Sequence, residues 1–152
     1  MLYWLAERAS YTINSILIVL ILEEPLLGDG ERGDRLRRGL LFWTRAVLCI
    51  AVAVVLTELG KKYEVWPGHS NFPSGHTTFA TAAATSLVLQ RGRRWLWLVA
   101  PLALLMGLTL AYGHWHTPDE VLAGWVVGIA VPFGLWRLIN RKAVTAGVRS
   151  AR

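Results

Sequence analysis

Five long apolar stretches constrain this chain more than any other feature of its sequence. They cover residues 11–27, 40–59, 74–90, 95–112 and 121–139. Each approaches the roughly 20 residues that an α-helix needs to cross the hydrocarbon core of a bilayer. Hydrophobic residues make up 54% of the 152-residue chain, a share that soluble domains of this length rarely reach. The sequence therefore predicts a single all-α domain over residues 1–152, a polytopic membrane helix bundle of about five transmembrane helices.

The third apolar stretch is the least hydrophobic of the five and is rich in small residues. Threonines and alanines fill most of residues 77–85. Small side chains let helix backbones approach closely inside a membrane bundle, so we expect this helix to lie at the centre. Gly124 and Gly128 form a GxxxG spacing in the fifth stretch, and we expect them to pack against another helix of the same bundle rather than at a dimer face.

Basic residues are concentrated on one side of the predicted membrane. Twelve of the 16 Lys and Arg residues lie in the loops after the first and third stretches or at and beyond the end of the fifth stretch. They are Arg32, Arg35, Arg37, Arg38, Arg91, Arg93, Arg94, Arg137, Arg141, Lys142, Arg149 and Arg152. Positively charged loops stay in the cytoplasm. We therefore expect an integral protein of a prokaryotic plasma membrane, with residues 61–73 and 113–119 on the extracytoplasmic side.

The same distribution of charge argues against a nucleic-acid partner. A net charge of +6 favours nucleic-acid binding only where the basic residues share one continuous face, and here they follow three separate helix ends. Cys49 is the single cysteine and lies within an apolar run, so the sequence offers no disulfide framework and no metal-ligand spacing. We expect a buried core residue at Cys49, no metal and no cofactor. Glu23, Glu24 and Pro25 follow the first stretch in place of a small-residue cleavage site, so we expect that helix to be retained.

The four residues Pro-Ser-Gly-His at 73–76 open the third stretch. Ser74 is suited to cap the helix, whose first turn then presents backbone N–H groups and the positive end of the helix dipole to an anion. Gly75 allows the backbone to approach a phosphate closely, and His76 is placed to hydrogen-bond or protonate one of its oxygens. A capped helix with a histidine at the membrane interface is the alternative that these residues leave open.

The fifth stretch is preceded by a second helix start of the same kind. Thr117, Pro118 and Glu120 form a capping box, with His116 immediately before it. Two helix N-termini on the same side of the membrane, each with a histidine, are suited to hold one tetrahedral dianion without a metal. Any chemistry is therefore expected to act on a phosphate group at the extracytoplasmic surface.

These motifs, PSGH and the later HTPDEVLAG, resemble the second and third motifs of the type 2 phosphatidic acid phosphatase superfamily, over roughly residues 58–130. The resemblance implies a metal-independent phosphatase core in which the third-motif histidine attacks phosphorus and forms a phosphohistidine. It assigns this attack to His116, proton donation to the leaving oxygen to His76, and orientation of the nucleophile to Glu120. Asp119 is the competing carboxylate, but residues 121–124 continue the family sequence in the register that selects Glu120.

The chain departs from this family at two arginines. The family places Ser-Arg six residues before the nucleophile, where this chain has Thr109 and Leu110, and Trp66 and Pro67 fill the Arg-Pro slot of the first motif. A charge-assisted hydrogen bond contributes about 1.5–3 kcal/mol, so replacement groups are needed. The predicted phosphate-binding set is Ser74, Gly75, Lys61, Lys62, His69 and His114. Contact of the two lysines with lipid headgroups or water alone is the alternative.

The leading hypothesis is an enzyme that hydrolyses a phosphomonoester or diphosphate of a membrane lipid, either an isoprenyl phosphate or diphosphate or a phospholipid. A lipid is favoured over a soluble phosphate because its tail can enter between helices without leaving the bilayer. Leu110 and Trp66 motivate an alternative, a catalytically impaired family member that binds phosphorylated lipids without turnover. A transporter or channel with a polar path lined by interior threonines, Asn14 and Glu58 is the third reading.

Overall fold

The computed structural model describes residues 2–23, 31–66 and 71–150. Within these residues the chain forms five α-helices and no strand: α1 (Leu2–Leu22), α2 (Arg32–Lys62), α3 (Gly75–Arg91), α4 (Leu96–Tyr112) and α5 (Pro118–Ser150). A 3-10 turn over Arg93–Trp95 precedes α4. The predicted all-α bundle is confirmed, and both α2 and α5 extend beyond the apolar stretches that predicted them.

Three segments of the described chain are long and apolar enough to cross a membrane, Gly33–Lys62, Arg93–Tyr112 and Pro118–Asn140. The central helix α3 has 17 residues, slightly fewer than a membrane crossing needs. Its threonines and alanines also make it less apolar than a helix that faces lipid. The first predicted stretch, 11–27, is covered by α1 as far as Leu22, while its residues 24–27 lie outside the described residues. The five predicted helices are therefore present, and three of them meet the length and apolarity of a membrane span.

Large apolar side chains cover the outside of the bundle. Leu104, Leu108, Val126 and Ile129 are each at least half exposed. Contiguous apolar surface of this extent is unfavourable in water and is expected where the surroundings are hydrocarbon. Together with the candidate spans, these residues indicate a membrane protein.

Helix α3 occupies the centre of the bundle, as its composition predicts, and packs against each of the other four helices. Thr77, Thr78 and Ala83 are fully buried. The Thr57 hydroxyl of α2 donates a hydrogen bond to the Thr78 hydroxyl at 3.3 Å. Cys49 is also fully buried, in agreement with the prediction of a core residue. A polar helix is accommodated here because its hydroxyls and small side chains face other helices rather than lipid.

Helices α3 and α5 are in close contact through the GxxxG pair. A Cβ atom at Gly124 would lie 2.9 Å from the Ser74 carbonyl oxygen, and one at Gly128 would lie 2.6 Å from the Thr81 Cβ. No side chain fits at such distances, so the two backbones approach as closely as glycine allows. This confirms that the pair packs within the bundle, and it brings the first turn of α3 beside the first turn of α5.

Candidate active site

The starts of α3 and α5 are joined directly by their backbones. The Ser74 N–H donates a hydrogen bond to the Glu120 carbonyl oxygen at 2.9 Å. Two motifs separated by some 40 residues of sequence therefore form one structural unit. Since each helix start presents its positive dipole end in the same region, the unit is suited to bind an anion.

Ser74 caps α3 as predicted. Its side-chain oxygen accepts a hydrogen bond from the Thr77 N–H at 3.4 Å and another from the Thr77 hydroxyl at 3.0 Å. The Ser74 side chain is completely buried, so its oxygen serves the helix cap rather than the surface of the site. The N–H groups of Gly75 and His76 belong to the first helical turn, where no intrahelical acceptor is available. These amides are the groups that α3 offers to an anion.

His116 and Glu120 form a close pair one helical turn apart. Nδ1 of His116 lies 2.7 Å from Oε2 of Glu120, and both side chains are nearly buried, with 11% and 8% of their area exposed. The same carboxylate oxygen accepts a hydrogen bond from the Thr117 N–H at 3.1 Å. Glu120 therefore completes the capping box and orients His116 at once, and the exposed Asp119 is not the residue in this pair.

A tight reversal of the chain after α4 places His116. The Trp115 and His116 N–H groups both donate to the Leu110 carbonyl oxygen, at 3.0 and 3.3 Å. His114 adopts a left-handed backbone conformation, with φ of 57°, which histidine tolerates better than most residues. His116 is thus held by hydrogen bonds to α4 on its N-terminal side and by Glu120 of α5 on its other side.

Lys61, at the end of α2, lies over the first turn of α3. Its Nζ is 2.8 Å from Oε1 of Glu58, and a Cβ atom at Gly75 would lie 3.2 Å from that oxygen and 3.4 Å from Nζ. Glycine at 75 therefore leaves room for a charged pair at the mouth of the site. The sequence suggests Glu58 only as part of a polar path through the bundle, although its spacing of three residues from Lys61 fits an ion pair on one helix face. At the end of α2, Glu58 does not line such a path.

The pKa of His76 is influenced by charged groups on neighbouring elements, His116 among them. His76 lies outside the three candidate spans. Its pKa is lowered from the ordinary histidine value, first by partial burial of the ring, then by electrostatic interaction with His116 and Lys61. The Glu58 carboxylate acts in the opposite direction. Since these interactions fall off with distance, His76 lies within electrostatic range of Glu58 and Lys61 of α2 and of His116, which precedes α5.

The other predicted phosphate-binding residues lie in different places. The Lys62 Nζ sits 5.7 Å from the centre of the Tyr63 ring, on the exposed side of α2. His114 is exposed and lines a pocket of about 410 Å³ together with Asn71, His116 and Glu120. His69 lies outside the described residues. Among the predicted cations, Lys61 is therefore the one whose described position approaches Gly75 and His76.

Neither position that replaces a family arginine supplies a charge to the site. The Leu110 side chain is buried in the hydrophobic core, where α4 packs against its neighbours. Trp66 stacks on Phe72, with ring centroids 4.8 Å apart. Lys61 is the cation that remains close to Gly75 and His76.

This geometry supports attack by His116 on an electrophile. A hydrogen bond from Nδ1–H to Glu120 leaves the lone pair of Nε2 available as a nucleophile. The PAP2 superfamily model matches residues 2–143 of the chain, which include every residue of this site. The chain belongs to the PAP2 superfamily. The predicted family is confirmed by this match.

One curated relative of this PAP2 protein carries a functional name. An undecaprenyl-diphosphatase of Sulfolobus acidocaldarius is 27% identical over 104 residues, with 57% of this chain and 50% of the relative covered. The chain therefore spans about half the length of that relative. No solved structure matches the chain.

The His116–Glu120 pair gives a direct prediction for this PAP2 protein. Glu120→Gln keeps an oxygen for the Thr117 N–H but removes the charge that orients and stabilises the His116 ring, so turnover is expected to fall at least about 100-fold. Asp119→Asn is the matched control, because Asp119 is exposed, and its turnover is expected to stay within about twofold of wild type. Phosphate release per folded protein measures both. Equal losses in the two variants would contradict the assignment of Glu120.

Proposed function

We propose that this PAP2 protein hydrolyses the phosphomonoester or diphosphate of a membrane lipid through a phosphohistidine on His116. The observation that carries the proposal is the His116–Glu120 pair, held beside His76 where the N-termini of α3 and α5 meet. The undecaprenyl-diphosphatase name of the relative favours an isoprenyl diphosphate within this substrate class.

In the first step the phosphate group lies against the Gly75 and His76 amides and the Lys61 ammonium. Nε2 of His116 attacks phosphorus, and the bond between phosphorus and the leaving oxygen breaks. His76 gives its proton to that oxygen, so the leaving group departs as an alcohol or as a lipid monophosphate. Glu120 stabilises the positive charge that develops on His116 by accepting the Nδ1–H hydrogen bond.

In the second step water attacks the phosphohistidine. His76, now neutral, takes a proton from the water as the new oxygen–phosphorus bond forms and the nitrogen–phosphorus bond breaks. Inorganic phosphate leaves, and both histidines return to their starting protonation states. One group therefore serves as acid and then as base, which requires that His76 contact both the leaving oxygen and the incoming water.

A panel of lipid phosphates tests the proposed function. Purified protein is given isoprenyl monophosphate, isoprenyl diphosphate, phosphatidic acid and phosphatidylglycerol phosphate in detergent micelles, and released inorganic phosphate is measured. Release from at least one lipid, by wild type and not by His116→Ala, supports the enzyme. Tight binding of these lipids without release, in wild type and variant alike, supports the impaired family member motivated by Leu110.

The distribution of basic residues supports an extracytoplasmic site, and the accessibility of single cysteines tests it. Asn71 and Arg37 are both exposed and lie near opposite ends of the bundle, while the native Cys49 is buried. In intact cells a membrane-impermeant thiol reagent is expected to label Asn71→Cys and not Arg37→Cys. Labelling of Arg37→Cys alone would place the histidines on the cytoplasmic side.

The lowered pKa of His76 predicts the pH dependence of turnover. The first step needs protonated His76, so kcat/KM is expected to fall as the pH rises through the pKa of the free enzyme. Because burial and positive neighbours lower this pKa, the fall is expected at a lower pH than an ordinary imidazole would show. Initial rates at low substrate concentration between about pH 5 and 8 measure the profile.

Two variants move this profile in opposite directions. Glu58→Gln removes the charge that raises the pKa of His76, so the fall in kcat/KM is expected at still lower pH. Lys61→Gln removes a charge that lowers the same pKa, so the fall is expected at higher pH. An unchanged profile in both variants would show that His76 is not the titrating acid.

A further inference from the structure

A second cavity lies along the half of the bundle away from the histidines. It has a volume of about 650 Å³ and is bounded by α3, α4 and α5. Along α3 it runs from Thr81 to Gly92, a length of about 16 Å at the rise of 1.5 Å per residue. His76 lies five residues before Thr81, about 7.5 Å further along the helix axis. The cavity is therefore separate from the site at the helix N-termini.

This cavity is a groove whose walls are apolar and whose side opens toward the membrane. Val88, Val99 and Ala100 form its inner surface. Leu104 and Ile129 line it as well, and each is about half exposed on the outside of the bundle. A lipid chain can enter such a groove from the side, because no polar group has to be crossed.

The end of the groove is positively charged. Arg93 lines it where the chain turns from α3 to α4, and Arg91 and Arg94 flank this residue in the sequence. Arg93 is exposed, so its guanidinium can reach the level of lipid headgroups. An anionic headgroup is the chemistry that complements this end.

The length of the groove matches one leaflet. Half of the roughly 30 Å hydrocarbon core is about 15 Å, close to the span from Gly92 to Thr81. We infer that the groove binds an anionic phospholipid of the leaflet opposite the histidines, with its phosphate at Arg93 and one acyl chain along α3. A substrate whose phosphorus lies at His116 has its headgroup at the other end of the bundle. This inference is independent of the proposed function.

Lipid retention by the purified protein tests this site. Protein is exchanged into nanodiscs of phosphatidylcholine with a minor fraction of phosphatidylglycerol. Native mass spectrometry then counts the lipid molecules that stay bound when the protein is released from the nanodisc. Wild type is expected to retain phosphatidylglycerol preferentially. Arg93→Gln is expected to reduce this preference about fivefold, the effect of one basic residue near a charged surface. Arg37→Gln, an exposed arginine at the same end that does not line the groove, is expected to leave it unchanged.

A variant that fills the groove with a larger side chain provides a second measurement of lipid retention. Ala100→Phe places a ring in the cavity and is expected to reduce retention of both lipids, while Arg93→Gln changes only the preference between them. The inference is overturned if wild type and Arg93→Gln show the same preference for phosphatidylglycerol. It is also overturned if Arg37→Gln loses this preference as much as Arg93→Gln does. Displacement of the bound lipid by a long isoprenyl phosphate, with no dependence on Arg93, would assign the groove to the substrate tail instead.

Discussion

Replacement of His116 by alanine is expected to abolish phosphate release, with a loss of at least about 10⁴-fold in kcat. His116 is the proposed nucleophile, and its Nδ1 is held 2.7 Å from the Glu120 carboxylate, so alanine removes both the attacking atom and the partner that the carboxylate orients. The measurement is phosphate release from the best lipid of the panel, normalised to folded protein. Asp119→Asn, altered three residues away and exposed, is the control and should keep its activity.

The covalent intermediate gives this prediction a second measurement. His76 acts in both proposed steps, but with a diphosphate substrate the leaving group is a lipid monophosphate, which needs less protonation than an alkoxide. His76→Ala is therefore expected to slow release of phosphate from His116 more than it slows formation of the intermediate. Protein quenched during turnover of a ³²P-labelled substrate should then carry label that withstands alkali and is lost in acid, as a phosphorus–nitrogen bond requires. Label in His116→Ala, or activity in that variant, would show that another group attacks phosphorus.

Gly128→Ala is expected to destabilise the bundle by about 1–3 kcal/mol, the usual cost of an overpacked core. The new Cβ would lie 2.6 Å from the Thr81 Cβ and 2.8 Å from the Thr78 carbonyl oxygen. The backbone oxygen cannot move away as a flexible side chain would, so α3 and α5 must separate. Separation also shifts Ser74 from Glu120, and phosphate release is expected to fall together with stability.

Gly134→Ala is the matched control on the same helix. Nothing lies within 4 Å of a Cβ atom at Gly134, and alanine is favoured over glycine in a helix by about 1 kcal/mol. Thermal unfolding in one detergent is expected to occur at a lower temperature for Gly128→Ala and at an equal or higher temperature for Gly134→Ala. Equal midpoints in the two variants would contradict the close α3–α5 contact.

Local motifs account for the part of the site that the sequence predicts. The capping functions of Ser74 and Glu120 depend on residues within four positions of each other, where the geometry of a helix start decides the contacts. The choice of Glu120 over Asp119 follows from the register of the family sequence at residues 121–124. The central position of α3 follows from its small residues for a similar reason, because small side chains are needed wherever helices approach closely.

Long-range contacts decide what the sequence leaves open. Lys61 and Lys62 are equivalent as charges, and only the direction in which α2 presents them places Lys61 over Gly75 and Lys62 on the Tyr63 ring. The sequence alone suggests an interior position for Glu58, because its actual position relative to α3 depends on the crossing of two helices. The groove at Arg93 is formed by three helices together and has no linear motif.

The sequence by itself determined the helical class, the family and the two helix starts that carry histidines, because periodic apolarity and capping are local properties of the chain. The tertiary structure decided which charges surround His76, and that the two helix starts share a hydrogen bond from Ser74 to Glu120. The physical reason is that Gly124 and Gly128 of α5 lie directly against the backbone of α3. This contact fixes the distance between the two helices, and the GxxxG spacing predicts close packing without identifying the partner helix.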